Sequence, residues 1–523
     1  MAHAIIFVDR APRTRETDLT SLHYTHFAGA GKVASVLREQ GMEVLIVPNC
    51  LNLSFAGIQQ ILENNKTNLL WVGLSTTLMG MQVEEQDVDS YYDLWLKSST
   101  PVIDIDFLVK KVSEGAERLL WNSKILGRIS YTLASKYCVP FVIGGAYANL
   151  VDTTGPMVHP NMHVAKGYAE AYINELTQSQ QSESQQEVPY VVNNNAYDND
   201  QFKHSQIIWA DTDCIDPDDW LPIEIARGCA FNCAYCNYPK RGTFDAYKNP
   251  DALKQELIRN YELYGVTKYM LVDDLYNDSK EKVRVLYDKV WSQLPFQPEW
   301  VSFMRLDMFW SDPESAEIVM ASGARYGGFG IETLNDRAGT KVGKGLGKKR
   351  IIETLEMLKT VWKDQVLIGA NMISGLPFEP LESIHESIEW TMTTDLIHGA
   401  IWTPMYMTPP ENSSINFNEN KNRIDTDFER FGVTWIDHEN WVNSAGVTKQ
   451  QAFAAISRYK PQNPWSGKFN QTIYADVRSA GFTHDQIANI RHKTITEQDM
   501  HSAMKFNKQK IVNRLQKLLE VRS

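Results

Sequence analysis

Three cysteines crowd one short stretch, Cys229-Ala230-Phe231-Asn232-Cys233-Ala234-Tyr235-Cys236, with gaps of three and then two residues between them. Thiolates are soft ligands and suit iron–sulfur clusters. A cubane [4Fe–4S] cluster held wholly by protein needs four cysteines, so three leave one iron open to a small molecule. Two plainer readings compete. A structural zinc would need a fourth ligand, from Cys214 or from somewhere remote. Inert buried thiols would need none, yet half of the chain's 6 cysteines would then sit together without chemical reason.

The spacing, the aromatic Tyr235 just before the third cysteine and the lead-in Leu221-Pro222-Ile223-Glu224-Ile225-Ala226-Arg227-Gly228 resemble the signature of the radical S-adenosylmethionine (SAM) enzymes, and of their cobalamin-dependent branch in particular. The resemblance is close over 215–410 and looser over 1–175. It implies that Cys229, Cys233 and Cys236 ligate a [4Fe–4S] cluster whose fourth iron is chelated by the amino and carboxylate groups of SAM. One electron entering the sulfonium would break the C5′–S bond. Methionine and a 5′-deoxyadenosyl radical would result, and the radical would take hydrogen from an unactivated carbon. With cobalamin bound, the substrate carbon would receive a methyl group from cobalt, and a second SAM would restore it.

Strands must hold these residues. Candidates lie at Ile223–Ala226, Tyr269–Val272, Trp300–Met304, Tyr326–Ile331, Val366–Met372 and Ile401–Tyr406, with helices between them. Asn249-Pro250 reads as a helix N-cap followed by proline at the first helical position, and Leu253, Leu257 and Tyr261 line one face of that helix. Repeated strand–helix units predict an α/β domain. The resemblance gives it as a radical SAM (β/α)6 partial barrel over 215–427, with chemistry at the carboxyl ends of its strands. There it implies Asp273 and Asp274 as acceptors for the SAM amino group and Arg305 as partner of its carboxylate. It implies SAM contacts for Tyr235, for Glu332 in Gly330-Ile331-Glu332-Thr333, and for Gly375 in the segment Gly369 to Pro377. Each has a plainer reading: a helix cap, an ion pair, a solvated carboxylate, a tight turn. Gly339 to Lys349 is rich in glycine and lysine, lacks P-loop spacing, and reads as a solvated loop.

Ahead of the barrel, apolar runs at Ala4–Val8, Val44–Val47, Leu69–Leu74 and Phe141–Ile143 alternate with helical patterns at Ala28–Gln40 and Ile58–Asn64. This predicts a doubly wound parallel sheet over 1–177, with an insertion near 80–130 carrying helices at Tyr91–Leu96 and Phe107–Ala116. Tyr24-Thr25-His26-Phe27-Ala28-Gly29 resembles the Asp-x-His-x-x-Gly pattern of cobalamin domains, with Tyr24 in place of the aspartate. By that resemblance the domain is a Rossmann-like cobalamin binder. Its contacts would be His26, Gly29, Ser75, Thr77, Gly144 and Gly145. Without the carboxylate that orients it, His26 reads more readily as a packed histidine than as a cobalt ligand.

Residues 178–214 open on a Gln/Ser/Glu run and read as a polar linker. Residues 428–523 read as a mostly helical C-terminal region, with Trp435, His438 and Trp441 near its start. Lys505 to Arg522 forms an amphipathic helix expected to dock on the barrel. A net charge of −12 disfavours nucleic acid, no run is long and apolar enough to span a membrane, and the scattered cysteines suit a reducing cytoplasm. The expected partners are a small-molecule or peptide substrate and an electron donor such as a flavodoxin or ferredoxin. Methyl transfer leads; radical rearrangement, cyclisation or oxidation without it, and a non-catalytic corrinoid or iron–sulfur regulator, are the alternatives.

Overall fold

A computed structural model of the chain describes residues 1–9, 26–76, 88–103, 123–145, 148, 161–182, 191–194, 199–236, 247–273, 275–407, 422–437, 440–459, 471–489 and 495–520. They form two compact units. One comprises Met1–Asp198, Gln206–Asp216 and Gln498–Ser523; the other comprises Asn199–Ser205 and Pro217–Glu497.

In the first unit, β1 (Ala4–Val8) and β2 (Val44–Val47) are buried at every residue, as strands covered on both faces must be. With β3 (Trp71–Ser75), β4 (Phe141–Gly144), β5 (Met162–Gly167) and β6 (Val191–Asn194) they make one parallel sheet in the order β2-β1-β3-β4-β5-β6. The chain reverses direction across the sheet between β1 and β3, the switch point where such sheets open a crevice at their carboxyl edge. Strand β6 falls within the stretch read as a polar linker, so part of that stretch is an edge strand. The helix expected at 107–116 lies outside the described residues.

The amphipathic C-terminal helix, Glu497–Leu519, corrects an expectation. Its Ile511, Leu515, Leu518 and Leu519 join the core of the first unit, alongside Ile58, Leu62, Trp95 and Ile129, and not the barrel. Polar contacts fix its end: Gln60 Nε2 donates to the Leu519 carbonyl at 2.9 Å, and Arg514 Nη2 to the Asp213 carbonyl at 2.5 Å. The segment that carries Asp213 is tied down by Arg38, whose guanidinium grips the buried Asp213 carboxylate at 2.8 and 3.0 Å.

The second unit is a parallel sheet of β7 (Trp220–Ile223), β8 (Lys268–Leu271), β9 (Glu299–Met304), β10 (Ala324–Glu332), β11 (Leu367–Ser374) and β12 (Gly399–Pro404), paired in sequential order. A parallel sheet paired in unbroken sequential order, its consecutive strands joined by crossover helices, is the partial-barrel arrangement. Helix Pro250–Tyr264 begins as expected: Asn249 Oδ1 accepts from Asp251 N at 2.8 Å, and Gly265 ends the helix at φ +70°.

Glycines shape the inner face. Gly328, Gly369 and Gly399 stand in register across β10, β11 and β12. A Cβ on Gly369 would lie 1.6 Å from the Tyr326 hydroxyl, and one on Gly328 would lie 3.0 Å from Gln471 Oε1. Helix Gln471–Ser479 fills this hollow. Its Tyr474 stacks on Tyr326 at 5.9 Å and meets Trp220 edge-on at 5.7 Å, while Arg478 pairs with Glu299 at 3.0 Å. These contacts plug the amino-terminal half of the sheet. Toward the carboxyl ends the facing side chains stay accessible: Val272 is 41% exposed, and Asn371 and Ile401 are half-buried.

Candidate active site

The three cysteines follow β7 on a loop held by backbone contacts from two other segments. Ala234 N donates to the Val342 carbonyl at 2.8 Å, Arg423 Nη2 to the Asn232 carbonyl at 2.6 Å, and Ile424 N to the Ala234 carbonyl at 3.2 Å. Within the loop, Phe231 N donates to Cys229 Sγ at 3.5 Å, and Cys236 N closes a turn onto the Cys233 carbonyl at 3.2 Å. Among the described residues no three His, Cys, Asp or Glu side chains converge on a point fit for a single metal ion. Three thiolates on one loop are the donor set that a [4Fe–4S] cluster with one open iron takes. Cys214, the nearest candidate in sequence for a fourth zinc ligand, belongs to the other unit.

Arg305 follows β9 and reaches the loop. Its Nη1 donates to Cys233 Sγ at 3.4 Å, its Nε and Nη2 grip Asp307 at 2.8 and 2.6 Å, and its guanidinium carbon lies 3.8 Å from the centre of the Phe231 ring. The buried Asn277 fixes its backbone, donating to the Arg305 carbonyl at 3.0 Å and accepting from Arg305 N at 2.8 Å.

Glu332 closes β10 beyond an irregularity in its register with β11, at φ +69°. Its carboxylate folds back over Gly330, where a Cβ would lie 2.5 Å from Glu332 Oε1. Lys344 stands beside it, with Nζ 3.4 Å from Glu332 Oε1 and donating to the Gly330 carbonyl at 2.7 Å. Burial first, and then Glu332, pushes the Tyr235 phenol well above its usual range. Cysteine loop and strand end are therefore brought together through Tyr235, Glu332 and Lys344. The glycine- and lysine-rich segment read as a solvated loop supplies this lysine and begins inside helix Asp336–Val342, whose last carbonyl holds the cysteine loop.

Asp273 is buried after β8. Its Oδ1 accepts from Ile225 N at 2.6 Å and Ala226 N at 2.9 Å, and its Oδ2 has no hydrogen-bond partner among the described residues. These sideways bonds explain why β7 ends at Ile223 and not at Ala226: the Ile225 and Ala226 amides serve a carboxylate instead of the ladder. Burial raises the Asp273 carboxyl to about 6, against the pull of Lys282. Asp274 lies outside the described residues. Gly375 has a packing role: at φ +90°, its Cβ would lie 2.7 Å from Ala452 Cβ and 2.8 Å from the Trp441 ring.

At the carboxyl edge of the first unit's sheet, Ser75 and Gly144 stand side by side in register, and Gly145 follows at φ +95°. A Cβ on Gly144 would meet nothing closer than 3.8 Å, which leaves backbone open to a close ligand. Gly29 is exposed in the first turn of helix Ala28–Arg38, with open space where its Cβ would be. His26 stands apart, 3% exposed, with its ring edge-on to Trp209 at 5.5 Å and its Nδ1 3.4 Å from Arg514 Nη2. Trp209 and Arg514 thus enclose the His26 ring in the first unit. Tyr24 and Thr77 lie outside the described residues.

Asn277, Asp307 and Lys344 escaped sequence reasoning. So did Glu379, buried after β11, where Thr333 Oγ1 donates to it and its Oε2 has no partner. Burial raises this carboxyl to about 8. Unfolded, it would titrate near 4.3, so between roughly pH 4.3 and 8 the folded chain binds the extra proton and stability falls as pH rises. Denaturant titrations are expected to show wild type losing up to about 1.4 kcal/mol per pH unit across that window relative to Glu379→Gln. Parallel pH profiles of the two proteins would refute this.

The radical SAM superfamily profile matches residues 223–391. Among curated proteins the chain is similar to an uncharacterized methyltransferase of Pyrococcus horikoshii, 23% identical over 34% of this chain and 38% of that protein. It is also similar to the anaerobic magnesium-protoporphyrin IX monomethyl ester cyclase of Cereibacter sphaeroides, 23% identical over 38% of this chain and 35% of that one. These matches span little more than a third of each relative. Among solved structures, the radical SAM methyltransferase TsrM from Kitasatospora setae, with tryptophan substrate and a SAM analog bound, aligns over 77% of this chain and 73% of its own. The TM-score is 0.51 at 13% identity. TsrM has also been solved with cobalamin and a [4Fe-4S] cluster bound. Residues 223–391 thus carry a radical SAM domain, and the chain shares its fold with TsrM.

Proposed function

We propose that this enzyme methylates an unactivated carbon of a small molecule or peptide, with a [4Fe–4S] cluster, SAM and cobalamin as cofactors. The observation that carries the reading is the cysteine loop at the carboxyl end of the partial barrel, bound to strand ends by Arg305, Tyr235, Glu332 and Lys344. Cluster and SAM supply an electron-driven cleavage of the sulfonium, and cobalamin supplies a transferable methyl group. The protein's part is placement. Cys229, Cys233 and Cys236 would hold three irons. Asp273 Oδ2, buried without a partner, awaits a donor such as an ammonium. Gly144 leaves backbone open for a corrinoid's nucleotide tail, beside the turn that Gly145 makes at φ +95°. The methyltransferase names among the similar proteins support the reaction, and all six cysteines are free, which fits a reducing cytoplasm and a flavodoxin- or ferredoxin-type donor. The match to a cyclase favours a second reading, radical cyclisation without methyl transfer.

Anaerobic reconstitution with iron, sulfide and hydroxocobalamin tests both. Near-stoichiometric cobalt beside about four irons, with S-adenosylhomocysteine formed under reductant, is the expected result. Iron without cobalt, and 5′-deoxyadenosine as the sole SAM-derived nucleoside, would remove methyl transfer and leave cyclisation.

A further inference from the structure

We infer that Arg305 tunes the reduction potential of the cluster by donating a charge-assisted hydrogen bond to the Cys233 ligand sulfur. The inference rests on the cluster reading above, and it gives Arg305 a role other than gripping the SAM carboxylate. Four features converge. Nη1 points at Cys233 Sγ at 3.4 Å. The remaining edge of the guanidinium is locked by Asp307 through two bonds of 2.8 and 2.6 Å. One face rests on Phe231, itself part of the cysteine loop, at 3.8 Å. Asn277 holds the backbone of the residue through both its N–H and its carbonyl. A side chain fixed by Asp307, Phe231 and Asn277 has little freedom to leave the sulfur.

The physics sets the sign. A reduced cluster carries one more negative charge than an oxidised one, and sulfur shares that charge with iron. A hydrogen bond to the sulfur, from a cation that cannot lose its proton, stabilises the reduced state more and raises the potential. Arg305 is 7% exposed, so solvent screens this interaction poorly. Asp307 offsets part of the charge but leaves the hydrogen bond intact. A more accessible potential matters because the cluster must be reduced by a protein donor before SAM can be cleaved.

The test is an EPR-monitored redox titration of the anaerobically reconstituted full chain, run without SAM. SAM affinity is measured separately by equilibrium dialysis. For Arg305→Gln the midpoint is expected to fall, so that at the wild-type midpoint the reduced-to-oxidised ratio drops about tenfold, or about 59 mV for one electron. Arg305→Lys, which keeps the charge but cannot span Asp307 and Cys233 with a rigid fork, is expected to fall between the two; should Arg305→Gln not load iron, it becomes the deciding variant. An unchanged midpoint in a loaded variant overturns the inference, and weakened SAM binding with that result returns Arg305 to the SAM carboxylate. Folded variants that both fail to load iron also overturn it, in favour of a role in cluster assembly. Wild type without about four irons defeats the underlying cluster reading instead.

Discussion

Cys233→Ala is expected to fold and to hold no [4Fe–4S] cluster, with reductant-dependent SAM cleavage at least about 1,000-fold below wild type, roughly 4 kcal/mol in the barrier. The loop that carries Cys233 is fixed by the backbone of Ala234 and Asn232, and those bonds do not need the thiol. Losing one small buried sulfur therefore costs little stability, whereas losing one of three ligands leaves two irons without protein. Iron and sulfide per chain, the thiolate-to-iron absorption band and the nucleosides released from SAM are the measurements, beside a thermal melt. Cys214→Ala is the control. It belongs to the other unit and is expected to retain full iron. Iron retained by Cys233→Ala, or lost by Cys214→Ala, would count against the three-cysteine site.

Gly375→Ala is expected to destabilise the second unit by about 2–4 kcal/mol. A left-handed backbone at φ +90° is unfavourable for alanine, and the new methyl would drive into Ala452 and the buried Trp441. Both neighbours come from the segment after the barrel, so the clash would pry that segment from the end of β11. A role in holding SAM predicts something else: near-normal stability with weakened SAM binding. Chemical denaturation of the purified variant, paired with equilibrium dialysis of SAM, separates the two. Unchanged stability would remove the packing account.

The two sheets were legible in the sequence wherever a strand is buried on both faces. Runs such as Ala4–Val8 and Val44–Val47 announce themselves because nothing polar interrupts them. Strand β5 reads Met-His-Val-Ala-Lys-Gly and β6 Val-Val-Asn-Asn, and neither carries enough apolar pattern to stand out from loop text. The cysteine triad was readable because its spacing is itself the chemistry. Its supports were not. Nothing local to Asn277 or Lys344 says that one will hold the Arg305 backbone and the other will lie over Gly330; those roles arise from where separate strands end. The same limit explains the C-terminal helix. A stripe of Ile511, Leu515 and Leu518 declares that the helix must cover something apolar, but a stripe carries no address.

That helix has a consequence for how the protein is made. The first unit begins with Met1, yet part of its core is supplied by Ile511, Leu515, Leu518 and Leu519, which leave the ribosome some five hundred residues later. Throughout synthesis of the intervening barrel, the surfaces around Leu62 and Trp95 wait without their final cover. Domains ordinarily fold in turn as they emerge; here the first unit is completed only after the second has been made. A transcript broken between the first unit and that helix therefore yields a chain whose first unit displays an unfinished apolar seam, the kind of exposed surface by which quality-control machinery recognises a product to destroy.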